Sequence, residues 1–115
     1  MMTIDHFTES GMVFLYVTVP DADCARRLAT TAITSKLAAC ANILPQMQAI
    51  YEWGGKIEQS DELVMILKTS QELAPNLAQK VADDHPYEVP CILEIPLGRG
   101  NDSYIAWLGE QTGRA

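Results

Sequence analysis

The sequence predicts one α+β domain whose elements follow the order strand, helix, strand, strand, helix, strand. Three observations lead to this prediction. Runs rich in β-branched and aromatic residues alternate with stretches in which alanine and leucine recur at helical spacing. A Gly-Gly pair separates two strand-like runs near the middle of the chain. The length of 115 residues suffices for one hydrophobic core and not for two.

The first half of the chain supplies a strand, a helix and the beginning of a second strand. Met12–Val19 is a β-branched and aromatic run with the length of a buried strand. An amphipathic helix is predicted from the candidate N-cap Asp21 through Lys36, with alanines on its buried face. Residues 37–44 are strand-like, and Pro45 then interrupts the run, which is typical of an edge strand or a bulge.

The second half of the chain begins with a long hairpin. The strand resumes over 48–53, turns at Gly54-Gly55 and returns over 56–67, because both glycines accept a positive φ. Residues 69–72 match a capping box for a second helix, whose start Pro75 places near residue 74. A fourth strand is predicted over 91–95, and a turn then leads into a short final helix.

This order of elements is the ferredoxin-like βαββαβ sandwich, with a long hairpin between its second and third strands and an extra C-terminal helix. Right-handed crossovers place the first strand between the third and the fourth. Residues 14–17 are apolar on both faces of the sheet, and the chain has nothing left to cover the second face, which predicts self-association. Pairing of the two unlike edges is head-to-tail, closes into a ring and favours a cyclic trimer.

Charge and cysteine usage restrict the classes of function. The net charge of -7 disfavours binding to nucleic acids and to anionic membranes, and no segment has the apolar length of a membrane span. The three cysteines, Cys24, Cys40 and Cys91, have no CxxC spacing, which argues against a disulfide scaffold and predicts a cytoplasmic location. Residues 1–11 lack basic and continuous apolar segments, so we expect a flexible leader before a single domain over 12–115.

Several segments of the chain resemble motifs of the CutA divalent-cation tolerance family. Over residues 12–110 they are, in the order and spacing of the family, LYVTVPD (15–21), KLAACAN (36–42), YEWGGKIE (51–58), MILKT (65–69), HPYEVP (85–90) and YIAWL (104–108). The resemblance implies a ferredoxin-like homotrimer, similar in plan to the PII signalling proteins and linked to tolerance of copper and other divalent ions. In one departure, the family usually has Glu where this chain has Cys91.

Four residues are candidate ligands of copper or another divalent ion. Cys40 has the support of the resemblance, and the thiolate of Cys91 is a better copper ligand than a carboxylate. His85 follows Asp84 in a loop, where an imidazole beside carboxylates suits a divalent ion. Three of them also have a structural alternative: Cys40 as a small buried residue, Asp84 as a solvated residue at a helix end, and His85 as a hydrogen-bonding partner of its loop. The predicted strand order separates Cys40 from Cys91 by about 14 Å within one subunit, whereas two subunits can bring them together.

A second set of residues, on the hairpin, is a candidate intersubunit cleft: Tyr51, Trp53, Lys56 and Glu58. Aromatic rings beside a lysine suit an anionic or planar small molecule. The alternative is a clasp between subunits, because Tyr and Trp are enriched in interfaces.

Enzymatic function is not predicted, because the chain lacks a recognised nucleophile motif and a glycine loop that cradles phosphate. We therefore predict no catalytic residues and no organic cofactor. The first prediction is a metal-binding homotrimer that takes part in the response to metal ions. The alternative is a PII-like regulatory module that binds a small molecule or a protein partner in intersubunit clefts, and a third interpretation is an interaction scaffold.

Overall fold

The computed structural model describes residues 5–113, which form nine elements of secondary structure. These are β1 (Phe7–Glu9), β2 (Met12–Val19), α1 (Ala22–Thr34), β3 (Cys40–Trp53), β4 (Lys56–Ser70), α2 (Ala74–Asp84), β5 (Ile92–Pro96), β6 (Arg99–Asn101) and α3 (Asp102–Gln111). Four strands make an antiparallel sheet in the order β3-β4-β2-β5. The predicted ferredoxin-like strand order is confirmed, with β3 and β5 at the two edges.

The main core lies between one face of this sheet and the helices α1 and α2. Side chains alternate between the two faces of a strand, so Leu15, Val17 and Val19 of β2 point to the same side. All three are fully buried, and they pack against alanines of α1 and against Leu77 and Val81 of α2. The small alanine side chains allow α1 to approach the sheet closely, as its sequence predicts.

The helix α1 begins where the sequence predicts and ends earlier. The carboxylate of Asp21 accepts a hydrogen bond of 2.8 Å from the backbone N–H of Cys24, which makes Asp21 the N-cap. The helix ends at Thr34, two residues before the predicted end at Lys36. Lys36 itself has a φ of 65°, in the left-handed region that commonly terminates helices.

Substitution of Lys36 by glycine is therefore expected to stabilise the protein. The left-handed conformation is strained for a residue with a Cβ, so Lys36→Gly should raise the free energy of unfolding by about 0.5–1 kcal/mol. Urea denaturation monitored by circular dichroism measures this change. The exposed Thr30, inside α1, provides the control, because glycine there should lower stability. A destabilised Lys36→Gly variant would contradict the assignment.

The helix α2 begins at Ala74, with Pro75 in its first turn, as the sequence predicts. The predicted capping box over 69–72 is wrong, because β4 continues to Ser70 and the N-cap is Leu73. Thr69 is fully buried, and its hydroxyl donates a hydrogen bond of 2.6 Å to the carbonyl of Leu37. In the part of the chain that the structure describes, no helix combines the length and the hydropathy needed to cross a membrane.

The strands β3 and β4 form the long hairpin that the Gly-Gly pair predicts. Gly54 and Gly55 have φ angles of 60° and 81°, and Trp53 pairs with Lys56 across this two-residue turn. The hairpin extends beyond the parent sheet, and the longest dimension of the molecule is 57 Å. None of the residues 48–61 is buried, so the outer hairpin contributes nothing to the core.

A β-bulge in β3 determines which hairpin residues share a face. Leu44 pairs with Val64 and Met47 with Glu62, so two residues of β3 stand opposite a single residue of β4. Gln46 is one of the two bulge residues, and its backbone has a φ of 65°. As a result, Leu44 and the odd-numbered residues from Met47 onward lie on the same face of the sheet.

The helix α3 covers one end of the second face of the sheet. Leu108 of α3 packs with Met12 and Ala39 in a second buried cluster. The ammonium group of Lys68 in β4 donates a hydrogen bond of 2.9 Å to the hydroxyl of Tyr104 in α3. The expectation that nothing in the chain covers this face is therefore wrong at this end, where the final helix folds back. Farther along the face, Leu93 remains 58% exposed.

The predicted flexible leader is wrong for its described part. Phe7–Glu9 forms the strand β1, which pairs with β6 in a separate two-stranded sheet, and residues 1–4 lie outside the described residues. Asp5 accepts hydrogen bonds from the hydroxyl of Ser103 and from the amide of Asn101, and these hold the pKa of Asp5 below its usual value. The backbone N–H of Ser103 also points to Asp5, so this segment caps α3 in place of Asn101.

Candidate functional site

A groove with a volume of about 680 Å³ opens on the second face of the sheet, where the hairpin leaves it. Side chains alternate along β4, and the bulge brings the odd-numbered residues of β3 from Met47 onward to the same face. Residues from both strands of the hairpin therefore face the groove. Tyr51 and Trp53 come from β3, and Glu58 and Glu62 come from β4. The loop between α2 and β5 closes the other side with Tyr87 and Cys91. The groove is thus an apolar and aromatic surface that contains two carboxylates.

Glu62 is the buried polar residue of the groove, with 8% of its surface exposed. One carboxylate oxygen accepts a hydrogen bond of 3.1 Å from the hydroxyl of Tyr87, and the other accepts one of 3.1 Å from the hydroxyl of Ser60. The ion pairs among residues 5–113 are Asp23 with Arg26 and Asp84 with Lys80, so within this range Glu62 has no cationic partner. The groove therefore holds a carboxylate whose negative charge is hydrogen-bonded and not neutralised.

His85 fixes the loop that carries Tyr87. Its Nε2 lies 2.9 Å from the carbonyl oxygen of Thr18, and its Nδ1 accepts a hydrogen bond of 3.1 Å from the backbone N–H of Tyr87. Because Nδ1 accepts, the proton of a neutral ring is on Nε2, which donates to Thr18. His85 is buried, and both ring nitrogens are in use. This geometry matches the structural alternative for His85, in which it stabilises its loop.

Titration of Tyr87 provides a test of the contact with Glu62. Desolvation, followed by the hydrogen bond to Glu62 and the charge of that carboxylate, raises the pKa of Tyr87 to about 12. In the unfolded chain a tyrosine titrates near pH 10, so the folded state holds the proton longer. The resulting stabilisation is complete below about pH 10 and is lost as the pH rises toward 12. In ultraviolet difference titrations of the native protein, Tyr87→Phe should remove the tyrosine that ionises at the highest pH. Loss of a tyrosine that ionises near pH 10 would contradict the contact with Glu62.

The four predicted metal ligands do not converge within one chain. Cys40 begins the edge strand β3, and Cys91 immediately precedes β5 at the opposite edge. Cys40 pairs with Lys68, whereas the carbonyl of Cys91 accepts a hydrogen bond from Thr18, so the two cysteines also differ in height along the strands. Asp84 forms an ion pair of 3.4 Å with Lys80. No group of three or more His, Cys, Asp or Glu side chains suited to a metal ion occurs in the described range 5–113.

The donor set of a single chain therefore does not fit a divalent ion. His85 has no free nitrogen, Asp84 is paired, and the two thiols lie at opposite edges of the sheet. Cys24 is buried in the main core, and burial raises the pKa of its thiol, which keeps it protonated. A site with several protein ligands requires residues from more than one subunit.

Of the four predicted cleft residues, Tyr51, Trp53 and Glu58 line the groove, and Lys56 does not. Lys56 stands opposite Trp53 at the hairpin tip, beyond the groove. The charged side chains that line the groove are thus carboxylates, which does not suit the anionic ligand that the sequence suggests. Glu62 was not predicted from the sequence, although its position four residues after Glu58 places both on one face of a strand.

The ferredoxin-like sheet, the projecting hairpin and the groove at its base together define a class of small α+β proteins with a shared plan. Residues 13–111 match the family described as CutA1 divalent ion tolerance protein. The chain belongs to this family, which takes its name from tolerance of divalent ions and not from a catalysed reaction.

Curated relatives and solved structures agree with this assignment. Protein CutA, chloroplastic, of Arabidopsis thaliana is 39% identical over 100 residues, which are 87% of this chain and 55% of the relative. The divalent-cation tolerance protein CutA of Thermus thermophilus is 40% identical over 97 residues, which are 84% of this chain and 94% of the relative. The crystal structure of CutA1 from Oryza sativa superposes with a TM-score of 0.87 at 38% identity, covering 90% of this chain and 95% of the rice chain. The chain spans about half the length of the plant and mouse relatives.

The predicted cytoplasmic location is contradicted by these relatives. The Arabidopsis thaliana protein is named chloroplastic. A structure from Archaeoglobus fulgidus, 38% identical with a TM-score of 0.84 over 87% of this chain and 97% of its own, is described as a periplasmic divalent cation tolerance protein. The prediction came from three sparse cysteines, which are free in the structure. Free cysteines do not identify a compartment, since a fold that needs no disulfide is stable in any of them.

Proposed function

We propose that this protein contributes to tolerance of divalent metal ions as a homotrimer, without catalysing a reaction, and that it holds ions at sites formed between subunits. The observation that carries this proposal is the separation of the candidate ligands within one chain, combined with membership of a divalent-ion tolerance family. If the chain binds an ion through several side chains, a second subunit must contribute some of them.

The exposed surfaces of the chain support self-association. The edge strands β3 and β5 each leave one side without a partner strand among the described residues. Large apolar side chains near them are exposed, including Trp53 at 71%, Ile57 at 69% and Leu93 at 58%. Because the two edges differ, pairing between them is head-to-tail, and a head-to-tail contact that closes makes a ring.

Cys91 is half-buried and lies in the wall of an open groove. Cys40 lies at the other edge, which a head-to-tail contact brings toward the neighbouring subunit. Thiolates favour copper over harder divalent ions. His85 and Asp84 contribute only if the bonds that they make within the chain are given up.

Native mass spectrometry with and without added copper tests subunit number and ion number together. We expect three subunits, and bound copper that decreases in Cys91→Ser. The matched control is Cys24→Ser, since the buried Cys24 should not affect copper. A monomer would overturn the trimer, and a trimer that takes up no copper would overturn the metal site.

A second candidate function is supported by the groove itself. A PII-like regulatory module would bind a small molecule or a protein partner in clefts between subunits, and Tyr51 and Trp53 already line an open cavity of sufficient size in one chain. The two functions are distinguished by whether the groove responds to metal ions or to an organic ligand.

A further inference from the structure

We propose that residues 5–9 act as a strap that holds the first turn of α3 over the thiol of Cys40, and that local opening of this strap exposes the thiol. The inference rests on the proposed function in one respect, because the thiol matters as a proposed ligand between subunits. The strap itself precedes residues 13–111, which match the family, so the family assignment says nothing of it.

The strap supplies the hydrogen-bond acceptors for the first turn of α3. The carbonyl of His6 accepts a hydrogen bond of 2.8 Å from the backbone N–H of Asp102. The carboxylate of Asp5 accepts hydrogen bonds from the backbone N–H and from the hydroxyl of Ser103. Asn101, which is the N-cap by position, makes no side-chain capping bond. Because the first N–H groups of a helix have no partner within it, the strap takes the place of the cap.

A close contact links the strap to a side chain of that first turn. Thr8 of the strap pairs with Gly100 of β6. Ile105 lies so near to Gly100 that a Cβ at residue 100 would be 2.9 Å from the Cδ1 atom of Ile105. The glycine thus lets the strand pair of β1 and β6 lie directly against α3. Displacement of the strap removes this support from Ile105 together with the cap.

The helix α3 lies on the face of the sheet that carries Cys40. Cys40 and Ile105 pack against the same buried cluster, which includes Leu108 of α3. The partner of Cys40 on β4 is Lys68, whose ammonium group donates a hydrogen bond to the hydroxyl of Tyr104 in α3. In the proposed trimer the free edge of β3 faces a neighbouring subunit. The start of α3 is therefore the barrier to this thiol that the chain itself provides.

The strap is the part of this arrangement that opens most easily. All three residues of β1 are exposed, with Phe7 at 67%, and within the described residues β1 pairs only with β6. A two-stranded sheet is marginally stable by itself, and a helix of ten residues depends on its cap and its packing. Leu108 and Thr112 are buried at the other end of α3. Opening of the strap therefore frays the start of α3 and leaves its end in place.

The rate at which Cys40 reacts with an aromatic disulfide tests the proposal, because thiol–disulfide exchange releases a coloured thiolate. In the full chain, Cys24→Ser with Cys91→Ser leaves Cys40 as the single thiol. In this background Asp5→Ala should speed the reaction about fivefold, and deletion of residues 2–9 should speed it at least about tenfold. An unchanged rate in the deletion variant, or in Asp5→Ala if the deletion variant does not fold, would overturn the proposal.

Matched controls separate local opening from general loosening. The exposed Glu9 takes part in neither ion pair of the described residues, so Glu9→Ala removes the same charge from the strap and should leave the rate unchanged. A second background, Cys40→Ser with Cys91→Ser, keeps only Cys24, which is buried in the main core and should not respond to Asp5→Ala. Equal acceleration of Cys24 and Cys40, or equal effects of Glu9→Ala and Asp5→Ala, would overturn the strap.

The outcome is distinguishable from failure of the proposed function. The thiol reaction needs no metal ion, and light scattering gives the subunit number of each variant independently. The strap lies outside the hairpin and outside the edges of the main sheet, so its removal should leave the subunit number unchanged. A monomer, or a trimer without copper, would contradict the proposed function, whereas unchanged thiol kinetics would contradict the strap alone.

Discussion

Replacement of Leu15 by alanine is expected to lower the free energy of unfolding by about 2–5 kcal/mol. Leu15 is fully buried in β2, the strand between β4 and β5, and it pairs with Leu67 on one side and with Glu94 on the other. Removal of its side chain leaves a cavity that rigid neighbouring strands cannot fill. Since small domains have only about 5–15 kcal/mol of stability in total, this loss is a large share of it.

Urea denaturation of Leu15→Ala, with the slope against denaturant compared to the parent, measures this effect. Leu15→Met is the control, because methionine has a similar volume and should cost less than about 1.5 kcal/mol. If Leu15→Ala lowers the free energy of unfolding by less than about 1 kcal/mol, the neighbouring side chains must fill the cavity. The core would then be less rigid than its packing indicates.

Shortening of the hairpin is expected to convert the proposed trimer to a folded monomer. Met47 pairs with Glu62, so replacing residues 48–61 by Asn-Gly leaves this pair beside a two-residue turn of the favoured type. The removed segment contains no buried residue, so the main core should persist. It does contain the exposed Trp53 and Ile57, whose loss removes the most exposed part of the apolar surface available for contact between subunits.

Light scattering during size-exclusion chromatography gives the mass, and circular dichroism reports whether the shortened chain is folded. The double variant Ile50→Lys with Ile57→Lys keeps the hairpin and places charges on its outer face, where both side chains are more than 60% exposed. Like the shortening of the hairpin, this double variant should weaken association between subunits. A shortened chain that still forms a trimer would place the contact on the sheet edges alone.

Periodicity and turn chemistry predicted the sheet well because they act locally. The bounds of β2, the N-cap at Asp21 and the turn at Gly54-Gly55 depend on residues close together in the sequence, and the structure confirms all of them. The capping box at Thr69 failed because tertiary packing prevailed over a local motif. Thr69 is drawn into the core by its bond to Leu37, which is distant in sequence.

The candidate site was predicted only in part, since a groove depends on which residues share a face. Tyr51, Trp53 and Glu58 line the groove, and the sequence singles them out as polar and aromatic residues that lie close together on one hairpin. Glu62 was not predicted as a site residue, because an acidic residue in a strand is usually exposed. Its burial arises from Tyr87, which reaches it from a loop that the sequence does not place beside β4. Likewise, the partner of β1 is determined by long-range pairing with β6.

The pairing of β1 with β6 has a consequence for how the chain is made and how it is degraded. The two strands come from opposite ends of the described chain, so during synthesis β1 must wait until β6 has emerged before it can pair. Closure of so long a loop is slow, which makes this small sheet a late step in folding. Once formed, it ties both segments to each other and to α3. A protease that attacks this segment meets a backbone hydrogen-bonded to its partner strand, so cleavage within β1 or β6 requires this pair to open first.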